Sequence, residues 1–575
     1  MRVTDHVANN LQSGNGSSAP WTRRGFLLSA AALAAVPVLL TADPAVAAAE
    51  LPDFPAEVDL YRSAYRNWVG EITADGLWAC APADADQVVS VVNWAWQHGW
   101  RVRARGSSHG WSPLTIESGT TSDAPVLLVD TAPHLTGLTL DSASAVRAGT
   151  GVTLEALLTF LEGNGLGLTA APAPGDLTLG GALAIDAHGT AVPADGEERT
   201  AGHTFGSLSN LVLSLTAVVW DSGTGAYALR TYTRDEADCA ALLTHLGRSL
   251  VTEVVLRAGA NANLRCLSRT DIPATELFAA PASDGRTFAS FLDEAGRAEA
   301  IWFAFTEFPW LKVWSVAPTK PLTSRRVSSP YNYPFSDNVP TLVADLVGRI
   351  LSDGAWYLAP VLGNAQLDVA ALGLTATLSA DIWGPSKNTL LYVRPTTLRE
   401  TANGYAVLTA RAQVQRVVHE FTAFYGERLA AYAALGRFPV NGTVEIRVTG
   451  LDHPADAELT GARAPLLSAL RPSAEHPEWD TAVWLDVLTL PGTPYAEEFL
   501  RELEQFLFHS FDGTRVEWSK GWAYTEQAAW SDEEVLGTAV PGSFGEAVWG
   551  QAAGTFDRLD PHGVFGNAFL DRLFG

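Results

Sequence analysis

The chain has 575 residues, of which 47% are apolar, 10% aromatic and 18% charged, and it carries 19 Trp. That is long enough for two sizeable domains and too apolar for a disordered chain. A formal net charge of −25, from 38 Lys+Arg against 63 Asp+Glu, excludes nucleic acid and polybasic membrane docking, because such a surface repels phosphates.

Residues 1–49 read as an address. Arg23 and Arg24 stand in TRRGFLL, the apolar run SAAALAAVPVLL follows, and Ala45-Val46-Ala47 offers a small-residue cleavage site. This predicts a twin-arginine secretory signal, removed near Ala47–Ala49, and a secreted mature protein. Pro37 interrupts the run, which is shorter than the ~20 residues that span a bilayer, so no stable membrane anchor is expected. The twin-arginine route carries folded proteins and suits an enzyme that loads its cofactor before export.

From residue 50 to 260 helical and strand patterns alternate, which predicts a mixed α+β domain. Val88, Val91, Val92 and Ala95 recur at helical spacing over 86–98, with Gly99 as the stop, and RVRAR then alternates as a strand ending at Gly106. Thr153 caps a helix LEALLTFLEG that Gly163 and Gly165 close. LVLSLTAVVWD and AYALRTYTR flank SGTG at 222–225 as a hairpin, Asp235 starts a helix ending near Gly247, and LVTEVVLRA reads as a buried strand. From 261 to 510 the runs AIWFAFTEF, TLLYVRP, TVEIRVTG and AVWLDVLTL predict a large antiparallel sheet covered by helices. Residues 511–575 read as a clasp returning to the first domain. Cys80, Cys239 and Cys266 are too few and too scattered for a disulfide framework, and no spacing suggests a metal site.

Two glycine-rich segments carry the first chemical signal. In RARGSSHGWSPL, residues 103–114, Gly106 and Gly110 allow close backbone approach, Ser107 and Ser108 add donors, and His109 sits between small residues. PAPGDLTLGGALAIDAHGTAV, residues 172–192, holds Gly175, Gly180, Gly181 and Gly189. Neither segment fits the dinucleotide fingerprint GxGxxG or a P-loop, which weakens nicotinamide and nucleotidase readings. A third constellation is Glu445 and Arg447 in TVEIRVTG, at i and i+2 and so on one face of a strand.

Together with GSLSNLVLSLTAVVWD and SLVTEVVLR, the glycine-rich segments resemble the FAD-binding domain of the vanillyl-alcohol oxidase family. RGSSHGWSPLT, AIWFAFTEFPWLKVWS, NGTVEIRVTG, KGWAYT and DPHGVFGNAFLDR are most similar to the type II, covalent-flavin bacterial cholesterol oxidases within it. The resemblance implies an α+β fold of two domains: an FAD-binding domain over 50–260 and a substrate domain with a large antiparallel sheet over 261–510. It implies FAD bound covalently through His109, with Arg105, Gly106, Ser107, Ser108, Gly110, Gly175, Asp176, Leu177, Thr178, Gly181, Gly189, Val251, Val254 and Asn567 at the cofactor. Doubly attached relatives place a Cys in the second glycine-rich segment, and this chain has none between Cys80 and Cys239, so a single bond is expected.

The same resemblance places Glu445, Arg447, Glu299, Lys520 and Asp486 at the reacting centre; Asp486 stands where the relatives carry Asn. It implies oxidation of a 3β-hydroxysterol by O2 to the ketone, with release of hydrogen peroxide and a shift of the Δ5 double bond to Δ4. Glu445 or Glu299 is the expected base, and the sequence does not choose between them. Arg447 and Lys520 would stabilise developing negative charge. Two other readings stay open at this point: a sugar or alditol oxidase on the same fold, and a flavin- or sterol-binding protein without catalysis. The aromatic segment WFAFTEFPWLKVW favours an apolar substrate.

Overall fold

The structure, a computed structural model, describes residues 51–334 and 341–575; the expected export signal lies outside the described residues. Its first strands are β1 (Asp59–Arg66), β2 (Thr73–Ala81), β3 (Arg101–Arg105) and β4 (Val126–Asp130), in the order β1-β2-β4-β3. The helix Ala85–His98 joins β2 to β3 and buries Val88, Val91, Val92 and Ala95. Asp84 caps it by accepting from the Gln87 N–H, and Gly99 ends it at φ 70°.

There follow β5 (Leu138–Ser142), β6 (Ala145–Gly149), β7 (Leu166–Gly167), β8 (Val212–Asp221), β9 (Ala226–Thr233), β10 (Leu250–Arg257) and β11 (Gly259–Ala260). β7 pairs with β11, and the rest form an antiparallel sheet in the order β5-β6-β10-β8-β9. The hairpin expected around 222–225 is β8–β9, and the helix expected after Thr153 is Leu154–Gly163, capped by the Thr153 hydroxyl. The helix expected from Asp235 to Gly247 is absent. One helical turn, Cys239–Leu242, stands in its place, and Leu246 and Gly247 then adopt φ 53° and 80°. Cys239 to Leu246 are all buried, Thr244 and His245 included, so the stretch has no solvent-facing side and carries no helical periodicity to read.

The remaining strands are β12 (Asn263–Arg269), β13 (Arg297–Phe303), β14 (Trp310–Val316), β15 (Arg325–Arg326), β16 (Asp381–Pro385), β17 (Thr401–Thr409), β18 (Thr443–Gly450), β19 (Thr481–Thr489) and β20 (Thr514–Val516). They make one sheet in the order β15-β16-β12-β14-β13-β18-β19-β17-β20, antiparallel except where β15 meets β16. On β18, Val444, Ile446 and Val448 join the core with Phe421 and Tyr425 of the helix Val414–Ala434 and Phe499 of the helix Ala496–Ser510. The alternate residues Glu445 and Arg447 point to the opposite face.

TLLYVRP is not the strand its composition suggests. Ser386–Leu390 is a short helix, and Tyr392 and Val393 donate their N–H groups to Ala173 of the second glycine-rich segment. A short apolar run fits either a strand or a buried turn, and docking decided for the turn. The chain after residue 510 adds β20 to the sheet edge and then reaches β3, where the Val102 N–H donates to the Val564 carbonyl. The three thiols are buried and unbridged.

Candidate active site

The two glycine-rich segments, residues 245–251, the upper ends of β13 and β18, and residues 397–400 and 517–520 enclose one cavity of about 420 Å³. The buried Arg103 braces the first segment, donating to the carbonyls of Thr115 (3.2 Å), Gly247 (2.8 Å), Leu114 and Phe565. Arg105 spends its guanidinium on Asp130, at 2.5 and 2.6 Å, so it fixes the end of β3. Ser108 sits in the left-handed region at φ 53°, an uncommon backbone for a side chain that bears a Cβ, and this turn presents His109.

The His109 ring stacks on Trp68 at 3.7 Å between centroids, and its buried Nδ1 has no hydrogen-bond partner. Burial, aided by the Arg399 charge, pushes the imidazole down to about 4, so it is neutral at ordinary pH. The C-terminal part of the chain holds this loop in place: the Trp111 N–H donates to Ser519 O at 2.7 Å, and Ser112 Oγ to Trp518 O at 2.7 Å.

Arg105, Gly106, Ser107, Ser108, Gly110, Leu177, Thr178, Gly181, Gly189 and Val251 lie on the cavity wall. A Cβ on Gly189 would come within 2.6 Å of the Ala171 amide nitrogen, so only glycine fits there. Gly175 and Asp176 instead line a separate hollow with Thr153 and Glu155; the Asp176 carbonyl accepts from Ser107 Oγ. Val254 belongs to the core behind Val251. Asn567 caps the helix Ala568–Phe574 and donates to Pro113 O at 2.9 Å, steadying the loop from behind.

Strand register assembles the charged groups. Lys312, Glu299 and Arg447 stand opposite one another across β14, β13 and β18, while Glu445, Asp486 and Gly404 form the adjacent row across β18, β19 and β17. Arg447 is the hub: Nε donates to Glu299 at 2.8 Å, Nη1 to Asp486 at 2.6 Å, and Nη2 to Glu445. Lys520 pairs with Asp486 and, at 3.2 Å, with Glu517. Gly404 leaves the space that the Lys520 stem and the Asp486 carboxylate occupy.

The two candidate bases differ in surroundings. Burial alone would raise Glu299, but Arg447, Lys312 and the Tyr392 hydroxyl, which donates at 2.5 Å, hold it below its ordinary range. Glu445 is pushed up by burial, with Glu299 and Asp486 nearby, in spite of Arg447. The Glu445 side chain is 20% exposed and that of Glu299 only 2%. Both touch the cavity, but of the two Glu445 is the more open to it, while Glu299 is held beneath Arg447. Asp486 lies below the cavity wall and is kept ionised by Lys520 and Arg447 against the effect of burial.

Lys312, Tyr392, Glu517, Glu400 and Trp68 were not singled out from the sequence. Lys312 had a legible signal: in WLKVWSV it alternates with Trp310 and Trp314 on one strand face. Tyr392 and Glu400 come from irregular segments, and nothing local marks them. Among the described residues no cluster of His, Cys, Asp and Glu suits a metal ion, and no helix is long and apolar enough to cross a membrane.

Residues 263–575 match the family model for the substrate-binding domain of cholesterol oxidase, and residues 78–224 match that for an FAD-binding domain. A solved structure of a solvent-stable cholesterol oxidase is 55% identical, with a TM-score of 0.90 over 92% of this chain and 100% of the other. The cholesterol oxidase of Brevibacterium sterolicum is 45% identical, with a TM-score of 0.88 over 91% of this chain and 99% of the other. Among curated protein sequences nothing matches.

Proposed function

The chain belongs to the cholesterol oxidase branch of the vanillyl-alcohol oxidase family, and from that membership we propose that it oxidises the 3β-hydroxyl of cholesterol to the ketone, using FAD and O2. Hydrogen peroxide is the reduced product, and the Δ5 double bond moves to Δ4, giving cholest-4-en-3-one. The observation that carries this reading is a single cavity with two features on its wall. One is a neutral, partnerless imidazole on a glycine-lined loop, and the other is a carboxylate–guanidinium pair on an apolar sheet.

The residues present fit FAD. The glycine-lined walls admit an extended cofactor at backbone distance, His109 Nδ1 has no hydrogen-bond partner, and Lys520 offers a buried cation. His109 would hold the cofactor by one covalent bond, with Gly106, Ser107, Ser108, Gly110, Leu177, Thr178, Gly181, Gly189 and Val251 around it. When bound, FAD supplies the acceptor for the carbinol hydride and the route of electrons to O2.

Glu445 takes the proton of the 3β-hydroxyl: it is open to the cavity, and burial has raised its basicity. Glu299 orients Arg447 from below, and Asp486 does the same for Lys520, so both cations keep fixed positions facing the cavity. Fixed cations in a water-poor site stabilise negative charge that develops there. Ile301, Leu398 and Leu488 supply apolar wall for a sterol. We assign residues 50–260 to cofactor binding, 261–510 to substrate binding and 511–575 to a returning clasp. The signal in residues 1–49 supports secretion by the twin-arginine route.

The test is to purify the mature protein, denature it in acid and follow the yellow colour, then assay peroxide with cholesterol. Colour retained on a peptide containing His109, together with cholesterol-dependent peroxide, is expected. A protein that binds no FAD, or one that makes peroxide from alditols and not from sterols, would end this reading.

A further inference from the structure

Glu400 lines the same cavity as Glu445, yet the oxidation derived above has no use for it. Its side chain comes from the irregular segment before β17 and is buried to 9% exposure. Oε1 has no hydrogen-bond partner, although buried carboxyl oxygens ordinarily have one. The carboxyl occupies space that Gly442 leaves open; a Cβ at Gly442 would strike it and would also come within 2.7 Å of the Leu488 carbonyl carbon. The main chain is anchored, since Trp111 Nε1 donates to Glu400 O at 2.8 Å. Among the described residues the charge that bears on the carboxyl is that of Glu445, and it is repulsive. A buried carboxyl oxygen left without a donor, with a repulsive charge beside it, destabilises the fold.

We propose that Glu400 is the acid of the double-bond shift, delivering a proton to C6 of the Δ5-3-ketone while Glu445 removes one from C4. The inference rests on the cholesterol oxidase reading and assigns its second half-reaction. Once Glu445 has released the hydroxyl proton to water, the C4–H bond breaks, its proton goes to the Glu445 carboxylate, and its electron pair forms the C4–C5 double bond. The C5–C6 π pair takes the proton of the Glu400 carboxyl and becomes the new C6–H bond. Neither oxidant nor reductant is needed, and the extra proton on Glu445 returns to Glu400 through water before the next cycle. Burial pushes Glu400 up to about 8, so it carries its proton at neutral pH. Two carboxyl groups of unequal proton affinity on one apolar wall divide into acid and base.

The experiment supplies cholest-5-en-3-one to the holoenzyme without oxygen and follows the ultraviolet absorbance of the conjugated enone. Glu400→Gln should slow enone formation by roughly 100-fold or more, and Glu400→Asp should restore part of the rate. With cholesterol and oxygen, Glu400→Gln should raise the ratio of peroxide to enone. A Gln variant that forms enone at the wild-type rate overturns the proposal. Should that variant not fold, single turnover of the C4-deuterated ketone on the wild-type enzyme decides the question. Glu400 predicts solvent hydrogen at C6, and deuterium carried from C4 to C6 would mean one shuttling carboxylate and overturn it. Peroxide from cholesterol with no isomerisation of the supplied ketone overturns this inference alone; absence of peroxide overturns the reading beneath it.

Discussion

Arg447 binds three carboxylates at once, which is why the residues around it take unequal roles. A guanidinium buried among Glu299, Asp486 and Glu445 stays charged, its affinity for the proton raised well above its ordinary value by those neighbours in spite of burial. Glu299 and Asp486 are spent on holding cations, and Glu445 is left to accept a proton. Glu445→Gln should therefore lower turnover ~100-fold or more, and a near-normal kcat would remove it from the chemistry. Among the described residues His109 is the one histidine on the wall with a fully buried ring nitrogen that lacks a hydrogen-bond partner, and His109→Ala removes it. FAD should then be extractable by acid from the denatured variant, and colour that stays with the chain would place the attachment elsewhere. The sequence brought forward Glu445 and Arg447 by their spacing on one strand, and His109, Glu299 and Lys520 by the family resemblance of the segments that carry them. Tyr392 and Glu400 were not, because their roles come from contacts with residues 93 positions away and 42 positions away in the chain, Glu299 and Gly442.

At the level of elements, alternation and capping were sound guides. The i, i+2 spacing of Glu445 and Arg447 put both on the cavity face of β18, and the stop at Gly99 and the cap at Thr153 fell where expected, while the cap at Asp84 was not foreseen. The reading failed where a segment is buried on every side, as in residues 239–246, or where a short apolar run docks on a loop, as in 389–395. Position 404 tests the element scale directly. It faces Asp486 across β17 and β19, and a Cβ there would meet Asp486 Oδ1 at 2.8 Å and the Lys520 Cδ at 2.7 Å. Gly404→Ala should cost about 1–3 kcal/mol by overpacking and lower turnover by displacing Lys520. An unchanged Tm with unchanged kcat would show that the Lys520–Asp486 pair has room to move. At the other end of the chain, Asn567→Ala removes a helix cap and a donor to the loop after His109. A loss of about 1 kcal/mol in urea unfolding is expected, and no loss would show that the cap contributes nothing.

At the scale of the molecule, buried titratable groups set the pH range of stability. Burial holds His188 at about 3 and His245 at about 4 instead of 6.5, so they stay neutral when folded. As pH falls below 6.5 the unfolded chain gains protons that the folded chain refuses, and stability drops toward acid. Glu400 and Glu517 run the other way: burial raises both from 4.5 to about 8. Their contribution is complete below 4.5 and is lost as pH rises through 8, because the folded chain keeps protons that the unfolded chain sheds. Above 6.5 the histidines no longer contribute, so Tm should fall between pH 6.5 and 8, and a Tm that rises across that window would refute the assignment. The tail belongs to this scale too, since Val564, Ser519 and Trp518 all receive hydrogen bonds from the segment that carries β3 and His109. By itself the sequence determined the α+β class, the periodic strands and helices, and the shared strand face of the Glu445–Arg447 pair, because these follow from local spacing and backbone chemistry, and the family resemblance of its glycine-rich segment singled out His109. Only the tertiary structure decided that Glu299 holds a cation while Glu445 stays open, and that Glu400 is buried without a partner. Burial and charge pairing depend on strands and loops brought together from distant parts of the chain, and no local pattern records that distance.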